Sequence, residues 1–258
     1  MPTPEDTPRR GPSQSPAPAP GQPTSERVHG IFANIAGSYD LINILGSFGI
    51  DRLWRRRTVR LAELTAESEV LDLCAGTGDL TLALARQGRP RRVLGTDFVP
   101  EMLDVGRAKL AKARSRGQLA EDSTVVFAVA DAQDLPFEDT SFDVATCAFG
   151  VRNLPDREAN FREVLRILRP GGRYLILEFT RPPNAIVRTV YHFYLRTVLP
   201  ALGGLIAGDR PSYQYLNDSI VAFPPQAVLA DELRAAGFSV VRWHDLTFGI
   251  VAVHVAAR

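Results

Sequence analysis

The sequence predicts an α/β domain built on a mostly parallel, seven-stranded sheet, because strand-like and helix-like segments alternate from residue 69 to residue 179. Strands that alternate with helices pair in parallel and carry the helices on both faces of the sheet. The last two strands, within residues 238–257, are joined by a polar turn too short for a helical crossover. We therefore expect an antiparallel last strand. Residues 184–223 follow the fifth strand and are expected to form a helical cap.

The first half of this alternation runs from residue 27 to residue 131. Residues 27–64 carry apolar side chains at helical spacing, which predicts an N-terminal helical lid. "EVLDLCAG" is a strand with its turn, and "DLTLALARQG" is a helix ending at Gly88. "RRVLGTD" is the second strand, "PEMLDVGRAKLAKA" a helix with Pro100 in its first turn, and "TVVFAVAD" the third strand.

The second half repeats the pattern and then closes the sheet. "FDVATCAFG" is the fourth strand, and "REANFREVLRILRPGG" is a helix that its Pro-Gly-Gly should stop. "RYLILEF" is the fifth strand, and "PQAVLADELRAAG" is the last helix. "FSVVRWHDLTFGIVAVHVAA" contains the final two strands.

Composition limits the functions that remain open. The chain has 258 residues, 45% of them hydrophobic, with 30 basic and 29 acidic side chains. This near balance gives no sign of a general nucleic-acid binder. Cys74 and Cys147 lie in apolar runs, which is typical of core residues in a reducing compartment. We expect no metal site, because no Cys or His pair has ligand spacing.

The first 26 residues differ from the rest. They are rich in Pro, Ser and Ala and can bury little, so we predict a disordered tail at 1–26 and a single domain at 27–258. The tail lacks the apolar core of a secretory signal, and its acids and prolines fit a mitochondrial presequence poorly. No stretch is apolar enough to span a bilayer. We expect a soluble, cytoplasmic protein.

The turn after the first strand, "DLCAGTGD", predicts a cofactor site. In a G-x-G-x-x-G dinucleotide fingerprint the third glycine would fall at position 81, which is Thr81. Asp79 would also repel a phosphate at the helix N-terminus. A carboxylate there suits a cofactor with positive charge, such as the sulfonium and ammonium of S-adenosylmethionine. No Gly-Lys-Ser/Thr follows, so a phosphate-binding P-loop is absent as well.

Acidic residues end the next two strands. The carboxylate of Asp97 can accept hydrogen bonds from two ribose hydroxyls. Asp131 can accept one from the adenine amine, and Ala132 leaves room for the base. The alternative is that each acid merely caps a helix or turn. Because such acids follow successive strands beside the glycines, we predict an S-adenosylmethionine site. The residues assigned to it are Asp72, Gly76, Thr77, Gly78, Asp97, Asp131 and Ala132.

Several longer segments resemble one family. "FANIAGSYDLINILGSFGIDRLWRR", "VLDLCAGTGDL", "DAQDLPFEDTSFD", "FGVRNLPD", "LRPGGRYLILEF", "SYQYLNDSI" and "LTFGIVAVH" resemble the MenG/UbiE family of quinone C-methyltransferases, from about residue 28 to the end. The N-terminal segment and "FGVRN" carry the specificity, since "LRPGG" and the glycine turn are shared widely. One departure is Ala148, where many members have a serine.

The resemblance implies a fold, a cofactor and a reaction. The fold is that of Rossmann-like, class I S-adenosylmethionine-dependent methyltransferases. The reaction is C-methylation of a polyprenylated quinol, demethylmenaquinol to menaquinol, or a benzoquinol of ubiquinone synthesis, or both. Family cofactor positions carry over to Thr77, Asp97 and the pair Asp131 and Ala132. The tail of such a substrate implies collection from a membrane, at its inner face.

Arg152 and Asn153 follow the fourth strand and are our candidate catalytic residues. A quinol becomes a carbon nucleophile when a hydroxyl loses its proton, so the protein must stabilise a phenolate. Arg152 stays protonated and can hold that oxygen or a water, while Asn153 can donate to the second oxygen. The alternative is that Arg152 pairs with Asp156 or Asp131 and only holds the loop.

Two further regions could reach the substrate. Tyr39, Asp40 and Asn43 could close over the ring as part of the lid, with ordinary helix packing as the alternative. Residues 185–208 mix large apolar side chains with arginines and could contact a membrane surface. The alternative for this segment is a cap packed on the sheet edge or on a second subunit.

Three other functions remain open on sequence. They are an NAD-dependent oxidoreductase, a cofactor-binding protein without catalysis, and an O- or N-methyltransferase for another small molecule. Thr81 and Asp79 argue against the first. An enzyme that methylates exocyclic amines of nucleic acid is disfavoured, because "FGVRN" stands where Asn/Asp-Pro-Pro-aromatic is expected.

Overall fold

The structure is a computed structural model, and it describes residues 25–36, 47, 49–120, 122–198 and 210–258. Its sheet has seven strands in the order β3-β2-β1-β4-β5-β7-β6. β7 is antiparallel to both of its neighbours, and the pairs among β1–β5 are parallel, so the predicted sheet is confirmed. The strands are β1 Glu69–Leu73, β2 Arg92–Asp97, β3 Thr124–Val129, β4 Phe142–Ala148, β5 Leu168–Phe179, β6 Val240–Leu246 and β7 Val251–Ala257.

The helices follow the predicted order. The helix Asp79–Ala83 continues into a wider π turn, Leu84–Gly88, and the helix Ala185–Phe193 continues into another, Tyr194–Val198. The helices are α1 Ser25–Ile35, α2 Asp51–Ala62, α3 Asp79–Ala83, α4 Pro100–Ser115, α5 Arg157–Ile167, α6 Ala185–Phe193, α7 Arg210–Ala222 and α8 Gln226–Ala235. The predicted ends at Pro100 and Gly88 are confirmed.

The junction between α5 and β5 differs from the prediction. The helix ends at Ile167, and strand β5 begins at Leu168, before the Pro-Gly-Gly that was expected to stop the helix. Proline disfavours helical backbone in the residue before it, which explains the early end. The register between β4 and β5 then shifts between Phe142 and Val144, and Gly171 adopts a φ of 77° within this irregular part.

The sheet is covered on both faces. Val70 packs with helices α2, α3 and α4, whereas its neighbour Leu71 packs with α5 and α8. Alternating side chains of one strand point to opposite faces, so β1 supplies both cores. On either side of the β1–β4 pair the strand order runs in opposite directions, and ligands of open sheets bind at the carboxyl ends of such strands.

A cap lies at this carboxyl edge of the sheet. Tyr191 and Leu195, on α6 and its continuation, cluster with Ile220 of α7 and pack against Phe179, the last residue of β5. Of the predicted lid, α1 and α2 are described, whereas Tyr39, Asp40 and Asn43 lie outside the described residues. The predicted tail also lies outside them, apart from its last two residues, where α1 begins. The domain boundaries stay a prediction.

Candidate active site

The turn after β1, residues 74–78, is named the glycine turn here. Gly76 and Gly78 adopt φ values of 54° and 78°, and Cys74 also lies in this left-handed region. A Cβ on Gly78 would lie 2.6 Å from the ring of Phe127. Gly78 therefore needs glycine for its backbone and for the space, and α3 begins directly after it.

Asp97 holds the glycine turn in place. Its Oδ2 accepts a 2.8 Å hydrogen bond from the Gly76 backbone N–H, and its Oδ1 accepts one of 3.0 Å from Val99. Burial raises the pKa of this carboxyl, and the backbone hydrogen bonds oppose that shift. A carboxylate has about four acceptor positions, so these two bonds leave capacity for ribose hydroxyls. The structural role and the predicted binding role are compatible.

Asp72 lies buried beneath the same turn. It accepts hydrogen bonds from the Thr81 hydroxyl at 2.6 Å and from the Thr146 hydroxyl at 2.7 Å. Burial, the largest effect, raises the pKa of Asp72 to about 6. Thr81, at the position of the third glycine of the dinucleotide fingerprint, thus donates a hydrogen bond to Asp72 beneath the glycine turn.

Asp79 lies among cations that the sequence analysis did not place. Lys109 Nζ lies 2.6 Å from Asp79 Oδ1 and donates to the Thr77 hydroxyl at 2.9 Å. Arg55 of α2 approaches Asp79 Oδ2 at 3.5 Å. Because these two cations offset the charge of Asp79, its carboxylate repels a phosphate at this helix N-terminus less than the sequence predicts.

Arg55 is a site residue that the sequence analysis missed. Its side chain is buried, pairs with Asp51 one helical turn earlier, and lies over the ring of Phe149 at 5.9 Å from the centroid. Its Nε has no hydrogen-bond partner among the residues that the structure describes. The spacing of Asp51 and Arg55 in "DRLWR" is the signal that could have identified it.

Asp131 and Ala132 differ in exposure. Asp131 is exposed, and its Oδ1 accepts from the Gln133 backbone N–H at 2.9 Å. Ala132 is buried, and its carbonyl accepts a 2.8 Å bond from the side chain of Asn160. This loop is thus fixed from two sides.

Two adjoining cavities open above the glycine turn, and Cys74 lines both. One contains the predicted ribose and adenine residues, and the other contains the predicted residues of the turn. The first is lined by Val28, Cys74, Asp97, Phe98, Ala130, Asp131, Ala132, Gln133, Asn153, Leu154 and Pro155. The second is lined by Arg55, Asp72, Cys74, Ala75, Gly76, Thr77, Asp79, Leu80, Ala148 and Phe149. Six of the seven predicted cofactor residues therefore line one crevice, and the seventh, Gly78, belongs to the glycine turn without lining either cavity.

Arg152 lies in a short 3-10 turn after β4. Its Nη1 lies 2.9 Å from Glu178 Oε1 and also donates to the carbonyl of Phe149. Its guanidinium lies 5.6 Å from the centroid of the Phe179 ring. The partners that we named as the alternative are engaged elsewhere: Asp156 caps α5, and Asp131 accepts from Gln133. The alternative named the wrong acids, because the partner comes from β5.

Asn153 joins the β4 turn to the cap. Its Nδ2 donates to the carbonyl of Phe149 at 3.3 Å, and its Oδ1 accepts from the hydroxyl of Tyr215 on α7 at 3.1 Å. Asn153 is buried beside the first cavity. Asn153 lies next to the cofactor crevice and is linked to α7, and its predicted catalytic role stays a prediction.

Glu178 was also missed by the sequence analysis. It is completely buried at the end of β5, where it accepts from Arg152 and from the Phe179 backbone N–H at 2.9 Å. Burial raises its pKa, and the charge of Arg152 opposes that effect. An acid in the apolar run "LILEF" was the available signal, because a buried carboxylate needs a cation or donors.

Three aromatic rings form what we call the aromatic wall: Trp54, Phe149 and Phe179. The Phe149 and Phe179 centroids are 4.9 Å apart, and Trp54 lies 6.1 Å from each. Arg55 lies over one ring of the wall and Arg152 over another. The wall is therefore a largely buried aromatic cluster flanked by two guanidinium groups.

The described ranges hold no group of three or more His, Cys, Asp or Glu side chains that could bind a metal ion. None of the helices in those ranges combines the length and the hydropathy that crossing a membrane requires.

Solved structures with a similar fold include SAM-dependent methyltransferases. A chain titled as a SAM-dependent methyltransferase from Thermotoga maritima aligns with a TM-score of 0.61 at 19% identity, covering 88% of this chain and 98% of that one. The [4+2]-cyclase SpnF aligns with a TM-score of 0.63 at 18% identity, covering 92% and 97%. At such identities the likeness concerns the fold alone, and it confirms the predicted Rossmann-like class.

Sequence relatives are much closer. The chain is 47% identical to a demethylmenaquinone methyltransferase of Thermus thermophilus, covering 88% of this chain and all of that one. It is 43% identical to a ubiquinone/menaquinone biosynthesis C-methyltransferase UbiE of Saccharophagus degradans, covering 91% and 92%. The family model of the ubiE/COQ5 methyltransferase family matches residues 22–258. The chain belongs to the ubiE/COQ5 methyltransferase family.

Proposed function

We propose that this chain is an S-adenosylmethionine-dependent C-methyltransferase that converts demethylmenaquinol into menaquinol. The observation that carries the proposal is the buried Arg152–Glu178 pair beside the crevice, at the carboxyl end of β4, in a chain of this family. The Thermus relative is named for demethylmenaquinone, and the Saccharophagus relative for both quinone pathways. A benzoquinol of ubiquinone synthesis is therefore the second candidate substrate.

The charges and hydrogen-bonding groups that line the crevice suit S-adenosylmethionine. We assign Asp97 to the ribose hydroxyls, the loop of Asp131 and Ala132 to adenine, and the glycine turn to the amino-acid end. Asp72 and Arg55 supply opposite charges near that end, which suits an ammonium and a carboxylate. When bound, this cofactor supplies an electrophilic methyl group. Ala148 lines the crevice where many relatives have serine, so no hydroxyl is available there.

The acceptor ring is assigned to the space beside the aromatic wall. Its carbon becomes nucleophilic when a ring hydroxyl loses its proton, because the negative charge spreads into the ring. Arg152 holds the resulting oxygen by charge and hydrogen bonding, and Glu178 fixes the guanidinium in position beforehand. Preorganised donors of this kind lower the barrier because they need no reorganisation during the reaction.

The test is methyl transfer to defined acceptors. The purified full chain is incubated with labelled S-adenosylmethionine and with reduced demethylmenaquinol or the reduced benzoquinol, each in mixed micelles. Label in the naphthoquinol supports the proposal, and label in both makes the enzyme serve two pathways. Label in neither, with cofactor binding demonstrated by calorimetry, contradicts it and favours a small-molecule O- or N-methyltransferase.

We further propose that the cap contacts the inner face of an anionic membrane, from which the substrate is collected. Ile186, Val190 and Phe193 are spaced along one side of α6 and are 76%, 63% and 62% exposed. We call them the outer stripe. Single exposed apolar residues are ordinary on a helix, but three neighbouring ones are typical of a surface that contacts a membrane or another protein.

The charges around the outer stripe favour anionic lipid as its partner. Arg181, Arg188 and Arg196 lie near His192 and, after burial, lower the pKa of that histidine. Residues 180–208 contain no Asp or Glu. Basic residues beside an apolar stripe are attracted to anionic headgroups, whereas a second copy of this chain would present the same positive charge.

A further inference from the structure

Tyr191 is a buried side chain of the cap with an unexplained hydroxyl. It lies on α6, is 7% exposed, and its phenolic oxygen has no hydrogen-bond partner in the part of the chain that the structure describes. A buried polar group without a partner lowers stability, so it calls for an explanation. By contrast, the Tyr174 hydroxyl donates to the side chain of Asn160, and the Tyr215 hydroxyl donates to that of Asn153.

The surroundings of Tyr191 belong to the acceptor side of the crevice. Tyr191 packs in the cluster that includes Phe179, and the Phe179 ring also carries the guanidinium of Arg152. Burial raises the pKa of the Tyr191 phenol, Arg152 lowers it, and Glu178 raises it again. The phenol therefore lies within electrostatic reach of the ion pair, and burial favours its protonated form.

We propose, on the basis of the proposed function, that the Tyr191 hydroxyl hydrogen-bonds the quinol oxygen that loses its proton, beside Arg152. A hydroxyl can accept a hydrogen bond from a neutral quinol and donate one to a quinolate, so it serves the acceptor before and after ionisation. Tyr191 keeps its own proton throughout. The quinol oxygen would pass its proton to water, and the ring carbon would then accept the methyl group, which leaves the cofactor's sulfur as a neutral thioether. The ring carbon would lose its hydrogen as a proton to water and the oxygen would regain one, so that the aromatic quinol re-forms with net release of one proton.

This placement makes the cap helix part of the acceptor site. A flat ring that carries an oxygen fits this set of groups, because the ring can pack on the aromatic wall while the oxygen bonds the phenol and the guanidinium. A substrate that lacks the oxygen would leave the Tyr191 hydroxyl buried without a partner. Tyr191 therefore selects for a hydroxylated ring as well as stabilising its ionised form.

The experiment compares Tyr191→Phe with Thr189→Ala in the full chain. Thr189 lies on the exposed side of the same helix and donates to the Ala185 carbonyl, so its variant controls for disturbance of α6. For Tyr191→Phe we expect unchanged cofactor affinity, an unchanged or higher melting temperature, and a kcat that falls about 10- to 100-fold. The rising limb of kcat against pH should move to higher pH, because the bound quinol ionises less readily. Thr189→Ala should match the wild type in all four.

The outcomes separate this proposal from the one on which it rests. A wild type that methylates neither quinol overturns both. An active wild type whose Tyr191→Phe variant keeps its kcat and its pH profile overturns the role of Tyr191 and leaves the quinol methyltransferase in place. A fall in kcat without a shift of the rising limb, together with a lower melting temperature, assigns Tyr191 to packing and also overturns the proposal.

Discussion

The cofactor half and the acceptor half of the crevice hold their polar groups in different ways. In the cofactor half, the carboxylates of Asp72 and Asp97 accept from threonine hydroxyls and backbone N–H groups, which carry no charge. In the acceptor half, Arg152 depends on Glu178 across two strands, and Asn153 on Tyr215 of the cap. The two acids of the cofactor half are thus held by neutral donors, whereas the acceptor half combines an ion pair with a hydrogen bond to the cap.

The strongest test of this difference is to break the Arg152–Glu178 pair. Arg152→Met leaves the Glu178 carboxylate buried and unpaired, and we expect a loss of about 3–5 kcal/mol in the free energy of unfolding. The double variant Arg152→Met/Glu178→Met should recover most of that stability and none of the turnover. Urea unfolding and methyl-transfer assays measure the two effects. An Arg152→Met variant as stable as the wild type would contradict the coupling.

A conservative change of the same residue separates charge from shape. Arg152→Lys keeps the positive charge and loses the planar fork of donors. If that variant folds normally and keeps full turnover, Arg152 does not hold the quinol oxygen through its planar guanidinium. The control is Arg162→Lys, since Arg162 is an exposed residue that pairs only loosely with Glu158 on α5.

In the cofactor half, Asp72→Asn should separate stability from binding. The folded protein binds a proton at Asp72 more tightly than the unfolded chain, because the pKa rises from 3.8 to about 6. Ionisation therefore costs stability as the pH rises from about 4 to about 6, and the cost is complete above that range. We expect Asp72→Asn to gain about 1–3 kcal/mol at pH 8 and to bind S-adenosylmethionine more weakly.

Denaturant melts at pH 4 and pH 8 and calorimetry with the cofactor check this expectation. The gain should shrink towards pH 4, where both proteins are neutral at this position. A variant that is less stable than the wild type at pH 8 would show that the two threonine hydrogen bonds outweigh the buried charge. In that case the turn would resemble the acceptor half, in which removal of a charge is costly.

The fold and the cofactor half could be predicted from sequence because their signals are local. Gly76, Gly78 and Asp97 lie at fixed places relative to strand ends, and backbone geometry carries them to one edge of the sheet. Glu178, Arg55 and Tyr191 come from β5, α2 and α6, and no spacing in the sequence joins them to Arg152. Only tertiary packing brings these residues together, so the partner of Arg152 could not be named in advance.

Helix α6 has two different sides: Tyr191 is buried on the side that faces the crevice, and the outer stripe is exposed. Ile186→Ser/Val190→Ser should weaken binding to vesicles of phosphatidylglycerol about tenfold, because less apolar surface enters the interface. The matched control is Val221→Ser/Val228→Ser, which changes exposed apolar residues of α7 and α8. Equal vesicle binding by all three proteins would contradict the membrane contact, and a change of molecular mass in solution would assign the stripe to a second copy.

The smallest expected effect concerns the boundary between the two halves. Ala148 ends β4, lines the cofactor cavity and precedes Phe149 of the aromatic wall. If the cofactor reaches this point, Ala148→Ser should strengthen its binding about two- to fivefold, as one added hydrogen bond of modest net value does. Turnover at saturating cofactor should stay the same, because Arg152 and Tyr191 are untouched. If the variant instead changes kcat and leaves the cofactor affinity unaltered, residue 148 contacts the acceptor. The boundary between the two halves would then lie between Ala148 and the glycine turn.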